Sequence, residues 1–407
     1  MVMKKLIAAL ACAALLAACG SPGPHGDAAR IDRKLVADLQ PGDAGTVGRA
    51  VDAFGFDLFG RLADGRSNTV ISPLSMTVLL AMLLAGADGD TAGQIARVLH
   101  LSDRRDVRVG ALLRQLSDTD EVTLSVADAL WAAPHVPLQP DYREFLTKTF
   151  GATLKNADLG SPATAHDIDK WAHDNTNGLI DKIATDLGLP DPSAVLVLLN
   201  AVYFLGQWKT TFDPARTRPE PFQQAGEVPM MHLEHASFGY AQRAGYRMLS
   251  LPYGKHGRYA MQVMLPDPGR TLAGMVTELD ATEWRSAVAA LKPTEVDELA
   301  LPKFQLRWQA ELNEPLSRLG MPAAFGPGAN FRPLSPDATA LSRVVQKTYV
   351  KVDEKGTEAA AVSGGAMATA ARSDELVFRV DHPFAFSIAD QQTGTILFLG
   401  AVTDPRG

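Results

Sequence analysis

Residues 354–372 read EKGTEAAAVSGGAMATAAR: seven of the nineteen are Ala, three are Gly, and only Val362 and Met367 carry apolar side chains of any size. Such a stretch cannot anchor itself against a core. Yet it lies between YVKV at 349–352 and LVFRV at 376–380, both of strand composition. Counting in twos from Thr357 gives Thr357, Ala359, Ala361, Ser363 and Gly365, a set that is small throughout. A segment that enters a close-packed sheet needs that property on its inward face, because strand side chains alternate between faces. The other set begins with Glu358 and calls for solvent on its side. The competing reading is a flexible or partly helical surface linker, since alanine favours helix.

Working outward, the spacing of Val51, Phe54, Leu58 and Leu62 predicts an amphipathic helix ended by Gly65. In NTVISPLSMTVLLAMLLAGA, Ser72 can cap a helix with Pro73 at its first position, and the turns that follow are apolar nearly all round, so this helix is predicted to be buried. TAGQIARVLHL and VGALLRQL read as short amphipathic helices, and EVTLSVADALWAA as a strand. The run VLVLLNAVYFLGQW, Val195 to Trp208, predicts a strand covered on both faces, whose Asn200 must find hydrogen-bond partners. YRMLSLPY, YAMQVMLP, ELALPKFQLRW, VVQKTYVKV, PFAFSIA and TILFLGAV are further strands, the last two joined by a turn at 390–394. Helices and strands mix without repeats or interior linkers, which predicts one large α+β domain over residues 50–407.

The 407 residues are 46% hydrophobic, 21% charged and 7% aromatic, with a net charge of −7. Without clustered cations, nucleic acid is set aside as a partner. Lys4 and Lys5 precede the apolar run LIAALACAALLAA, too short for a spanning helix and expected to be a signal peptide over residues 1–18. Its end, Leu16-Ala17-Ala18-Cys19, resembles the bacterial lipobox. The expectation is an exported lipoprotein held at the cell envelope, periplasmic or outward-facing, with lipid on Cys19 and residues 19–49 as a flexible tether. Cys12 and Cys19 are the only cysteines, so no disulfide, thiol nucleophile or Cys-ligated metal is expected in the body.

Hydrolase machinery is missing from the sequence. No serine stands in a G-x-S-x-G elbow or has a Lys three residues on. His232 and His235 in MMHLEHA lack the four-residue spacing of H-E-x-x-H, and no glycine pattern forms a phosphate loop, so no enzyme activity, metal or cofactor is expected. The arginines at 97, 104, 105, 108 and 114 are interleaved with Asp103 and Asp106 and read as a solvated helical face.

In order along the chain, NTVISPLSM, TNGLIDKI, LLNAVYFLGQW, VPMM, LPKF, VDEKGTEAAA, HPFAFSI and ILFLGAV resemble the motifs of the serpins, over nearly all of residues 50–405. The resemblance implies three β-sheets with about nine helices and an exposed reactive loop at the opening stretch. It further implies suicide inhibition of serine, or alternatively cysteine, proteases: the loop is cut, inserts into the central sheet and traps the acyl-enzyme. By position it assigns the loop hinge to Glu354, Gly356, Thr357, Glu358, Ala359, Ala360 and Ala361. Ser72, Ser75 and Asn200 match the shutter where central strands must part, with Gln346 where the family usually has His, so pH sensitivity from that His should be absent. Trp208, Lys303 and Glu354 match the place where insertion begins. Counting forward from Glu354 sets the reactive bond at Ala370–Ala371, suited to elastase-like or subtilisin-like pockets; counting back from Pro383 gives Arg372–Ser373, suited to trypsin-like ones. The loop is two residues longer than usual, and the first is favoured because insertion length is set from the hinge. A monomer is implied. The rival reading is a non-inhibitory serpin-fold binding protein or chaperone.

Overall fold

The computed structural model describes residues 25–338, 341–357 and 375–407. Its strands form two hydrogen-bonded sheets, and ten α-helices pack against them among the described residues, an α+β fold. In the first sheet the central strand Leu196–Gln207 runs antiparallel to Val122–Ala132 on one side. On the other side it runs parallel to Arg343–Val352, with Phe304–Glu311 antiparallel beyond. The second sheet contains the 18-residue strand Gly226–Arg243, which pairs with Lys292–Pro302 along Met230–Tyr240 and with Tyr246–Tyr253 along Gly239–Arg243. Two of the three expected sheets are therefore continuous through that strand.

Local chemistry explains the elements that matter for the site. Ser72 caps the helix Pro73–Ala85 by accepting the Ser75 N–H, and all thirteen residues are buried. Each Leu, Val or Met it contributes stabilises by about 1.5–3 kcal/mol. The stretch ELALPKFQLRW, read as one strand, divides at Lys303 into Lys292–Pro302 of the second sheet and Phe304–Glu311 of the first. Pro302 has no N–H to continue the ladder, so the chain turns there.

The first sheet is covered on both faces. One face carries Leu124, Leu130, Leu198, Val202 and Phe204 into the main core, while Ala129, Trp131, Val197 and Leu199 pack with Ile168, Trp171 and Ala172 of the helix Pro162–Asn175. Solvent on that second face, the condition read for Glu358, is thus not general along the strand.

Folding begins earlier than the expected tether end at residue 49. His25–Gly26 pairs with Ser125 and Val126, Ala28 and Ile31 are buried, and a helix runs from Asp43 to Leu62 with Val47 buried. The Gly- and Asp-rich composition hides this, because the anchor comes from elsewhere. Arg114, read as part of a solvated face, is 2% exposed and donates to the Ala28 carbonyl at 2.6 Å.

Candidate functional site

Three regions of the first sheet build the site. At its upper end the strand Arg343–Val352 turns through Asp353–Gly356, and Gly356–Thr357 comes back to pair antiparallel with Gly206 and Gln207 of the central strand. Gly356 has φ +144°, and a Cβ there would lie 2.1 Å from the Gly206 carbonyl oxygen, so no other residue fits without displacement. Thr357 is 1% exposed, and its hydroxyl lies 2.9 Å from that of Tyr253.

The predicted insertion residues meet just below. Lys303 Nζ lies 2.9 Å from a Glu354 carboxylate oxygen, Thr217 donates to the same carboxylate at 2.7 Å, and Trp208 Nε1 donates to the Asp353 carbonyl at 2.9 Å. The Trp208 ring stacks on Tyr253 at 4.4 Å. Burial alone would raise the Glu354 carboxyl, but the hydrogen bonds from Lys303 and Thr217 outweigh it and hold the group below the usual carboxylate range.

Mid-sheet, the four predicted shutter residues form one network. The side chain of Gln346 donates to the Ser72 carbonyl at 3.1 Å and to Ser75 Oγ at 3.3 Å, and accepts the Ser72 N–H at 3.2 Å. Ser75 Oγ donates to Asn200 Oδ1, and Asn200 Nδ2 donates to Asp128 Oδ1 at 2.9 Å. All five are buried, and Asp128, Asn200 and Gln346 stand in one cross-strand row. Sequence reading missed Asp128; its signal was a carboxylate at an inward position of the alternating strand EVTLSVADALWAA. Tyr253 and Thr217 were also missed, since their roles depend on tertiary approach alone.

Below Gly356–Thr357, and running through the Asn200–Gln346 row, lies the seam of the sheet. The ladder of the central strand with Arg343–Val352 is parallel and spans the seven pairs from Arg343↔Val197 to Tyr349↔Tyr203. Both strands are antiparallel to their outer neighbours. A segment descending between them from Thr357 would run antiparallel to both and replace the parallel ladder, the slightly weaker kind, with two antiparallel ones.

Comparison with known proteins decides the family. Residues 49–405 match the model of the family described as Serpin (serine protease inhibitor). This chain is a serpin. A serpin-like protein of Thermococcus kodakarensis is 33% identical over 389 residues, covering 90% of this chain and 88% of its own. The leukocyte elastase inhibitor of Sus scrofa is 33% identical over 374 residues, 86% of this chain and 97% of its own. The native-state structure of the thermophilic serpin tengpin superposes with a TM-score of 0.79 at 28% identity, covering 90% of this chain and 95% of that one.

Four of the residues expected in the hinge, Glu358, Ala359, Ala360 and Ala361, lie outside the described residues, as do both candidate reactive-bond pairs, Ala370–Ala371 and Arg372–Ser373, and Cys19, the expected point of lipid attachment. His232 is buried with Nε2 3.0 Å from Glu220 and Nδ1 3.4 Å from Glu298, and Arg379, just past the loop, binds both carboxylates. His235, three residues on, is exposed.

Proposed function

We propose that this serpin is a single-use inhibitor of serine endopeptidases, working by insertion of its cleaved loop between Leu196–Gln207 and Arg343–Val352. The observation that carries the reading is the antiparallel pairing of Gly356 and Thr357 at the mouth of a parallel seam. Continuing that register, each step forward along the loop moves one residue back along the central strand. Ala359 would meet Phe204, Ala361 would meet Val202, Ser363 would meet Asn200 and Gly365 would meet Leu198. The small residues thus fall on the face that belongs to the main core. About ten inserted residues would gain backbone hydrogen bonds on both edges, each worth about 1 kcal/mol net. An acylated protease tethered to the loop would be dragged with it and its active site distorted.

The leukocyte elastase inhibitors among the relatives agree with a small residue before the bond, and we place the cut at Ala370–Ala371 with Arg372–Ser373 as the alternative. The lipobox-like Leu16-Ala17-Ala18-Cys19 supports a site of action at a bacterial envelope, on a lipid anchor.

Incubation with an elastase-like and a trypsin-like protease tests this. The expected result is a covalent complex with the first that survives detergent, with a released peptide beginning at Ala371. Thr357→Arg, which forces a cation into a position now 1% exposed, should turn complex formation into plain cleavage. Cleavage without complex by the unaltered protein would replace inhibition with a non-inhibitory binding role.

A further inference from the structure

The strand Gly226–Arg243 and its neighbour Lys292–Pro302 bring together a donor set that lies outside the hinge and shutter. The register runs Ala236↔Val296 and Glu234↔Glu298, so His235 stands across from Asp297. At this point the ladder is interrupted: the Asp297 N–H donates instead to the Leu376 carbonyl at 3.0 Å. One Asp297 oxygen, Oδ2, accepts the Leu376 N–H at 2.7 Å, while the other, Oδ1, lies 3.9 Å from His235 Nδ1. Glu295, two residues along the same strand, shares the face of Asp297. One ligand atom from each of His235, Glu295 and Asp297 lies within 4.8 Å of the other two.

We propose that these three side chains bind a zinc-class divalent cation, and that the bound ion ties down the C-terminal root of the reactive loop. Two carboxylates alone would be a solvated acidic pair; the imidazole makes the set one that suits a borderline metal. A separation of 3.9 Å is too long for a hydrogen bond. Donors at about 2.1 Å from a tetrahedral zinc stand about 3.4 Å apart, so small side-chain rotations close the present spacing. The His235 side chain is 63% exposed, which leaves it free to turn and leaves the ion open to solvent for a water as fourth ligand. Calcium, which takes six to eight oxygens, is poorly served by three donors of which one is nitrogen.

The consequence for the loop follows from the two oxygens of Asp297. An ion held on Oδ1 fixes the rotation of the carboxylate whose Oδ2 holds the Leu376 amide. Leu376 leads directly into Val377–Arg379, a three-residue strand paired parallel with Glu298–Ala300 at the end of its sheet. So short an edge strand has few bonds of its own, and fastening its first amide slows its release. The binding claim is independent of the inhibitory reading, because it is measured without any protease.

The purified protein, stripped with chelator, is titrated with zinc chloride by calorimetry, and amide exchange is followed with and without zinc. One zinc per chain is expected, bound roughly tenfold or more tightly than by His235→Ala or Glu295→Gln. Both substitutions are at positions whose loss should leave the fold intact, which the melting curve of each variant checks. Zinc should slow exchange at 376–379 in the unaltered protein and in neither variant, and calcium chloride should bind at no comparable affinity. Equal zinc affinity in the His235→Ala chain, or no zinc bound by the unaltered one, overturns the site. Zinc binding that leaves exchange at 376–379 unchanged overturns the tie to the loop.

Discussion

At the scale of single residues, two buried carboxylates are handled in opposite ways. Glu354 is ionised and held by Lys303 and Thr217, so the stability it contributes is present above its ordinary value of 4.5 and is lost as the pH falls through its lowered one. Asp52 is 1% exposed; burial pushes it up to about 7, against the smaller opposing effects of the Ile396 N–H and Arg285. Its sign is therefore reversed. The unfolded chain ionises near 3.8 and the folded one near 7, so stability falls as the pH rises between those values and is level above them. Asp52→Asn keeps an oxygen to accept the Ile396 N–H and removes the buried charge. We expect it to raise the melting temperature at pH 8 and to leave it nearly unchanged at pH 4; an equal shift at both values would count against burial as the cause. Nothing in the sequence marked Asp52, because it lies within a helix whose apolar stripe predicts the neighbours correctly. Gly356 was named through the family resemblance alone, and the close approach to the Gly206 carbonyl that requires a glycine there is visible only in the structure.

At the scale of elements, helix and strand types were largely legible and their partners were not. The buried 73–85 helix, the 122–132 and 196–207 strands and the 390–394 turn all stand where periodicity and turn chemistry put them. The division at Lys303 and the joining of two sheets by Gly226–Arg243 escaped, because periodicity records which face is buried and not which sheet buries it. The same limit hid the helix Pro162–Asn175 on the outer face of the first sheet. An inserted segment would present Ala360, Val362 and Gly364 to that face, opposite Tyr203, Ala201 and Leu199, where Ile168, Trp171 and Ala172 pack. Within the seam, the network of Ser72, Ser75, Asn200 and Gln346 binds both strands to the 73–85 helix. Gln346→Leu keeps the volume and leaves the Ser72 N–H and the Ser75 hydroxyl each short of a partner, which costs about 1–3 kcal/mol. The bonds span the seam as it stands closed, so the intact protein should lose more melting temperature than the loop-cleaved one. Equal losses in the two forms would mean that the network is ordinary core.

For the molecule as a whole, the proposed mechanism reads the first sheet as one that lacks the strand it can best accommodate. Seven parallel pairs close the seam of the intact chain, while an antiparallel segment has already placed Gly356 and Thr357 at its upper end. On the proposed mechanism, descent is prevented because both ends of the loop are fastened: Glu354 and Thr357 at the front, and Leu376 with Val377–Arg379 at the rear in the other sheet. On that reading, a cut between them would free the front part and leave the rear strand in place. The gain in hydrogen bonds on insertion, on the order of 10 kcal/mol, is comparable with the whole stability of a typical domain, about 5–15 kcal/mol. In a domain of this size it should raise the melting midpoint by roughly ten degrees. A metalloprotease forms no acyl-enzyme to be trapped, so it can nick the loop and leave. We expect the protein nicked in this way to melt far above the intact chain, with both fragments still associated. If the two forms melt together, the seam is a closed ladder and not a vacancy, and insertion cannot be the source of inhibitory work in this serpin.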